Sequence, residues 1–237
     1  MKPSDGLWSL VLITGLLAAL ATSWMLHRPF NYGYGFWYDQ LEIGHHIDRF
    51  APQNRYIRGF QATTDEQRLD LFAGIVDAVH HQGQGLSELS FTDRQGRLKP
   101  LLREPEIVHL QDVANLIDVL SVAGGIALLF CATGSFVLVK RRVPLRWKSQ
   151  GIILAGLLGL TALTLLIAGP KAVFYQLHVW IFPDEHQWFF YYQDSLMSTM
   201  MKAPDLFGGI GVTIGVVGIV LFSLYLLLIG RLANRPQ

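Results

Sequence analysis

The stretch "KRRVPLRWK", residues 140–148, carries five basic residues and no acidic one, and it separates two apolar runs, 116–139 and 151–172. Each run is long enough to cross a bilayer, which takes about 20 residues. Short loops dense in Lys and Arg stay in the cytoplasm, so this loop orients everything on either side of it. Working outward, two further apolar runs cover 6–26 and 208–229, giving four spans with both termini inside. Arg231 and Arg235 agree with that placement at the C-terminal end. The segments between spans one and two and between spans three and four then face outward. Nine basic residues lie in the first of these, but long translocated segments largely escape the positive-inside bias.

The resulting plan has a first transmembrane helix over 1–26, an extracytoplasmic cap over 27–108 and a second helix over 109–139. A cytoplasmic loop over 140–150, a third helix over 151–172 and an outer loop over 173–207 follow; a fourth helix over 208–230 and a cytoplasmic tail over 231–237 complete it. The fold class predicted is a membrane all-α four-helix bundle with a small α+β extracytoplasmic cap. A cleaved signal peptide is the alternative for the N-terminus, since Lys2, an apolar core and "ALA" at 19–21 resemble a cleavage site. The length of the run, with Trp8 and Trp24 as interfacial aromatics, favours a retained helix.

Composition agrees. Of 237 residues 51% are hydrophobic and 16% charged, too apolar for an ordinary soluble domain. The formal net charge of +1 supplies no field for nucleic acid, and no basic run tracks a phosphate backbone. The single cysteine, Cys131, lies in an apolar run, where a thiol packs as a small hydrophobe. Within the spans, Gly211 and Gly215 form a Gly-x-x-x-Gly pair suited to close helix approach, and Gly151, Ala155, Gly156 and Gly159 read the same way.

The first outer segment opens with "HRPFNYGYGFWYDQ", whose aromatics suit the headgroup zone. In "TTDEQRLDLFAGIVDAVHHQ", Thr63 or Thr64 can cap a helix with Leu69, Phe72, Ile75, Val76 and Val79 on one face. "LSFTDRQGRLKP" alternates around a turn at Asp93–Gly96, predicting a hairpin.

Candidate chemistry gathers at the outer membrane face. "LLREPEIVHLQDVANLIDVL", residues 101–120, sets Glu106, His109 and Asp112 three apart, along one stripe of a helix entering lipid. His178 lies in the outer connection between spans three and four. A neutral imidazole can take a proton and return it, and Asp112 or Glu106 could fix the tautomer of His109. Asp118 falls inside an apolar span and is expected to face the bundle interior. His45, His46, His80 and His81 read as solvated surface pairs without a carboxylate framework, while His186 stays undecided. His109, Asp112, His178 and His186 have donor types suited to zinc, but no local spacing fixes two ligands, so no metal site is assigned. Ser195 and Ser198 follow Asp194 without a nucleophile elbow.

"REPEIVHLQDVANLI" resembles the Glu-x-x-His-Met-x-Asp-Val-Lys-x-Leu signature of the lipoprotein intramolecular transacylase (Lit) family. "FYQLHVWIFPDEHQWFF" followed by "DSLMSTMMKAPDLF" resembles its second signature. Leu110, Ala114 and Leu177 depart from the pattern, and the interval from Asp194 to Pro204 is longer. The resemblance implies a bacterial cytoplasmic-membrane acyltransferase with its site at the extracytoplasmic face. It would move the sn-2 acyl chain of a diacylated lipoprotein substrate to the amine of that substrate's own N-terminal cysteine. It further implies His178 as general base and acid, His109 as a polarising or orienting group, and Asp112 as the residue setting the tautomer of His109. Glu106, Trp188, Phe189, Phe190, Tyr191 and Asp194 would contact substrate, with membrane lipids as surroundings and no cofactor. A metal-dependent membrane hydrolase using the same histidines, or a non-catalytic membrane protein, are the alternatives.

Overall fold

The computed structural model describes residues 3–234, so Lys2 and Arg235, used above for the N-terminal and topology readings, lie outside the described residues. Nine helices and one hairpin follow in order among them: α1 (Pro3–His27), α2 (Tyr34–Gln40), α3 (Ile43–Phe50), α4 (Asp65–His80), β1 (Ser90–Thr92), β2 (Leu98–Pro100), α5 (Glu104–Lys140), α6 (Trp147–Ala168), α7 (Pro170–Ile181), α8 (Leu196–Met201) and α9 (Asp205–Ala233). Short 3-10 turns join several of them. Four helices are long and apolar enough to cross a membrane: α1, α5, α6 and α9. The chain divides into two compact units, one holding the apolar helices and the other His27–Val119 with Phe174–Gly211.

In the apolar unit α1 supplies the centre of the core. Trp8, Val11, Leu12, Leu16 and Ala19 pack with Leu138 of α5, Leu145 of the basic loop, Leu154 of α6, and Phe222 and Ile229 of α9. Trp8 is fully buried, and its indole N–H donates to the Val143 carbonyl at 3.2 Å. Its ring fills the core behind the basic loop. Gln150, also buried, accepts from Ser9 Oγ at 2.9 Å and donates to the Asp5 carbonyl at 2.9 Å, fastening α6 to α1. Beyond Gln150 and Leu154 no residue of α6 is buried, and Ile152, Leu160, Leu166 and Ile167 present an apolar wall that suits lipid. The bundle core thus belongs to α1, α5 and α9, with α6 joined through its first turns.

The glycine expectation is also corrected. A Cβ at Gly211, Gly215, Gly151, Gly156 or Gly159 would meet nothing within 4 Å. Close approach occurs instead at Gly134 and Gly218, where an added Cβ would stand 2.6 Å from Val11 and from Leu20 respectively, so the small residues that matter are those where α1 crosses α5 and α9. Cys131 is buried and packs beside Gly15, as its apolar surroundings predict.

In the second unit the local signals hold well. Thr64 caps α4 in a capping box with Gln67, and Phe72, Ile75, Val76 and Val79 are buried as expected; Leu71 joins them, whereas Leu69 is only half-buried. The hairpin pairs Ser90 with Pro100 and Thr92 with Leu98; its turn is tied by the Asp93 carboxylate, which accepts from the Gln95 and Arg97 N–H groups at 2.9 and 3.0 Å. Tyr34 stacks on Phe72 with ring centres 3.9 Å apart and donates to the Met200 carbonyl at 2.8 Å. The aromatic stretch after α1 turns through three consecutive left-handed residues, Asn31, Tyr32 and Gly33, before α2 begins.

Several boundaries move, and α6 begins at Trp147, inside the expected loop, while α9 runs from Asp205 to Ala233. The third apolar helix ends at Ala168 rather than 172, because Gly169 leaves the helical region (φ 80, ψ 147) and Pro170 starts a new helix. Helix α5 starts at Glu104, so its first polar turn belongs to the same rod as the apolar span.

Candidate active site

Helix α5 enters the site through an anchored N-terminus. Leu101 and Leu102 are buried, and the Arg103 N–H donates to Glu106 Oε2 at 2.8 Å. Ser195 Oγ donates to Glu106 Oε1 at 2.5 Å and accepts from the Ser198 N–H at 2.8 Å, capping α8. Glu106 has no exposed surface. Oε2 thus caps the start of α5, and Oε1 ties α5 to α8.

One turn later the helical stripe delivers His109. It is buried, and its Nδ1 finds no hydrogen-bond partner. Helix α7 brings the second imidazole: Phe174, His178 and then Phe182 recur at four-residue spacing and form one face. The His109 and His178 rings stand 6.2 Å apart between centres, with Phe182 5.0 Å from the first and 5.1 Å from the second. Phe174 lies 4.1 Å and Trp188 5.1 Å from His178, and Phe190 lies 6.0 Å from His109. Two imidazoles remote in sequence are thus held within one aromatic enclosure.

The tautomer of His178 follows from its partner. A carbonyl only accepts, so Nδ1–H must donate to the Phe174 carbonyl at 2.8 Å, leaving Nε2 with its lone pair in the neutral ring. Burial holds the pKa of His178 below the usual imidazole value, against a smaller opposite effect of that hydrogen bond. The ring is therefore kept as a neutral base.

Asp112 lies on the same stripe as His109, but its carboxylate takes a different partner. Its Oδ2 accepts from His186 Nδ1 at 2.7 Å. The expected Asp112–His109 pair is replaced by Asp112–His186, and the histidine left undecided by the sequence becomes part of the site. Asp194 pairs with Arg55 at 3.4 Å, and the Arg55 N–H donates to the Gln193 carbonyl at 2.8 Å, anchoring the end of the loop. Phe189 and Tyr191 are 43% and 63% exposed, whereas Phe190 is buried. Phe182 and Phe174 were legible only as aromatics four residues from His178.

Two of the supposed surface histidines are half-buried and packed against other rings. His46 lies between Phe50 and Tyr192, with ring centres 4.6 and 4.4 Å away, and its Nε2 is buried without a partner. Burial, then the nearby Lys202 charge, lowers its pKa to about 4. His80 meets the Tyr32 hydroxyl at 2.6 Å, since the left-handed turn aims that phenol at α4. His45 and His81 are exposed, and His81 has the carboxylate Asp77 at 3.1 Å. Ser195 and Ser198 are buried in the α8 cap, and among the described residues no three His, Cys, Asp or Glu side chains converge as a metal-ligand group. Asp118 is half-buried.

A family model described as "Lipoprotein intramolecular transacylase Lit" matches residues 10–203. Among solved structures the chain is similar to an in meso structure of the membrane integral lipoprotein intramolecular transacylase Lit from Bacillus cereus carrying a His-to-Arg mutation. The TM-score is 0.67 at 16% identity, covering 98% of this chain and 92% of that one. Comparison with curated proteins gives no match. At that identity the structural likeness is one of fold.

Proposed function

Because this chain belongs to the lipoprotein intramolecular transacylase family, we propose that it moves the sn-2 acyl chain of a diacylglyceryl lipoprotein to the amine of that lipoprotein's N-terminal cysteine. The enzyme is a bacterial membrane acyltransferase of lipoprotein modification. The finer reading is that the product is a lyso-form lipoprotein, that the polar unit is an extracytoplasmic cap, and that the reaction runs at the outer face with both termini in the cytoplasm.

The observation that carries the reading is the 6.2 Å approach of His109 and His178 inside an aromatic enclosure, with Nε2 of His178 free to accept a proton. Both reacting groups belong to one substrate, so holding amine and ester together makes the step effectively unimolecular and leaves little for the protein to add. The amine attacks the ester carbonyl; His178 takes a proton from the attacking nitrogen and returns it to the departing glycerol oxygen. His109 orients and polarises the reacting ester. Phe189 and Tyr191 offer exposed aromatic surface to the acyl chains, Phe190 backs His109, and Trp188 walls the His178 side. Glu106 and Asp194 brace the walls through Ser195 and Arg55.

Mass spectrometry of lipoprotein N-terminal peptides, from cells with and without the gene, tests this. The expected result is an N-acylated lyso-form only where the gene is present, with loss of at least about 100-fold in activity for His178→Ala, the scale of a general acid–base group. Unchanged acyl position in gene-bearing cells rejects the proposal.

A further inference from the structure

Acyl transfer to an ammonium has a proton balance that a single imidazole does not close. An N-terminal α-amine has an ordinary pKa of about 7.7–8.0 and at neutral pH is mostly R–NH3+. The reaction forms the N–C(=O) bond and breaks the glycerol O–C(=O) bond: R–NH3+ and the ester give R–NH–C(=O)R′, the glycerol hydroxyl and one H+. Of two protons lost by nitrogen, one finishes on the glycerol oxygen and the other in water. The His178 shuttle accounts for the former. The latter must reach water, and a group that touches the ammonium and exchanges with solvent speeds that step where the amine is mostly protonated.

The structure holds such a group, bonded to the helix that carries His109. The His186 Nδ1–H donates to Asp112 Oδ2 at 2.7 Å, so the carboxylate fixes the tautomer and leaves Nε2 as the acceptor. The His186 side chain is 36% exposed and that of Asp112 14%, a carboxylate set inside and an imidazole reaching water. Asp112 lies one helical turn beyond His109, which places the pair at the same end of α5 as the histidine enclosure. The other ionisable groups on these elements are His109 on α5, His178 on α7, and Asp184 and Glu185 on the segment that carries His186. We propose that His186, oriented by Asp112, receives the first proton of the substrate's α-ammonium and releases it to water, presenting the neutral amine to His178. Asp112 acts through His186 as a positioning residue, stabilising the imidazolium while it lasts. This rests on the transacylase reading above.

The test uses the full-length protein in lipid vesicles with a synthetic diacylglyceryl lipopeptide, with initial rates followed by mass spectrometry between pH 6 and 9. His186→Gln is expected to lose about tenfold or more at pH 6.5 and to return within about twofold of the unaltered protein at pH 9, where the amine is already neutral. Asp112→Asn should move the profile in the same direction, and added imidazole should restore low-pH activity to His186→Gly. A loss equal at all pH values, without imidazole rescue, or an unchanged profile, overturns the proposal and leaves the transacylase reading standing. Absence of transfer by the unaltered protein overturns both.

Discussion

At the scale of single residues, the site shows how burial rather than identity decides what a histidine does. His178 is half-buried and tied through Nδ1, His186 is tied to a carboxylate, and His46 is enclosed by two aromatic rings with no partner for Nε2. The last makes a stability prediction with a definite sign. Its folded pKa of about 4 lies below the ordinary imidazole value of about 6.5, so the unfolded chain binds more protons between those values. Stability from this residue is therefore complete above pH 6.5 and lost as pH falls toward 4. Thermal unfolding in detergent at pH 7 and pH 5 should show a drop in the unaltered protein and a smaller one in His46→Phe; equal drops would remove His46 as the cause.

At the scale of elements, helix contacts separate glycines that look alike in sequence. A Cβ at Gly218 would meet Leu20 side-chain and backbone atoms at 2.6 and 3.4 Å, leaving the neighbour little freedom to give way. Gly218→Val should cost about 1–3 kcal/mol, the ordinary range for overpacking, and lower the unfolding temperature by several degrees. Gly211→Ala meets nothing and replaces the poorer helix former, so it should be neutral or raise that temperature. Differential scanning fluorimetry of the two variants checks the ordering, and a reversed order would refute the assigned α1–α9 contact. Helix α7 makes a related point. With no residue fully buried it depends on Phe174 and His178 contacts, so the element that delivers the base is itself lightly held.

At the scale of the whole molecule, the topology drawn from the 140–148 loop puts β1, β2 and their turn outside and the basic loop inside. Arg94 and Arg141 are both exposed, which makes them usable reporters. In a Cys131→Ser background, Arg94→Cys should react with a membrane-impermeant thiol reagent on intact cells. Arg141→Cys should react only after permeabilisation. The opposite pattern would invert the molecule and move the proposed reaction to the cytoplasmic face.

Features that depend on local periodicity and polarity are legible in the chain before it folds. Four apolar runs, the basic loop, the Thr64 cap, the Asp93 turn and two histidines in two separate motifs are properties of a few neighbouring residues, and each leaves its mark in a short window. Tertiary structure alone decided the pairings. Asp112 is three residues from His109 and 74 from His186, yet it bonds the distant ring, and Glu106 reaches Ser195 across 89 positions. A helical stripe states which side chains share a face, but the partner that arrives there depends on how the intervening chain turns at Gly169 and folds back through the Trp188 segment. The same holds for Trp8, which has the composition of an interfacial anchor and becomes core because Val143 and Leu145 close over it. Packing selects among contacts that sequence spacing leaves equally available.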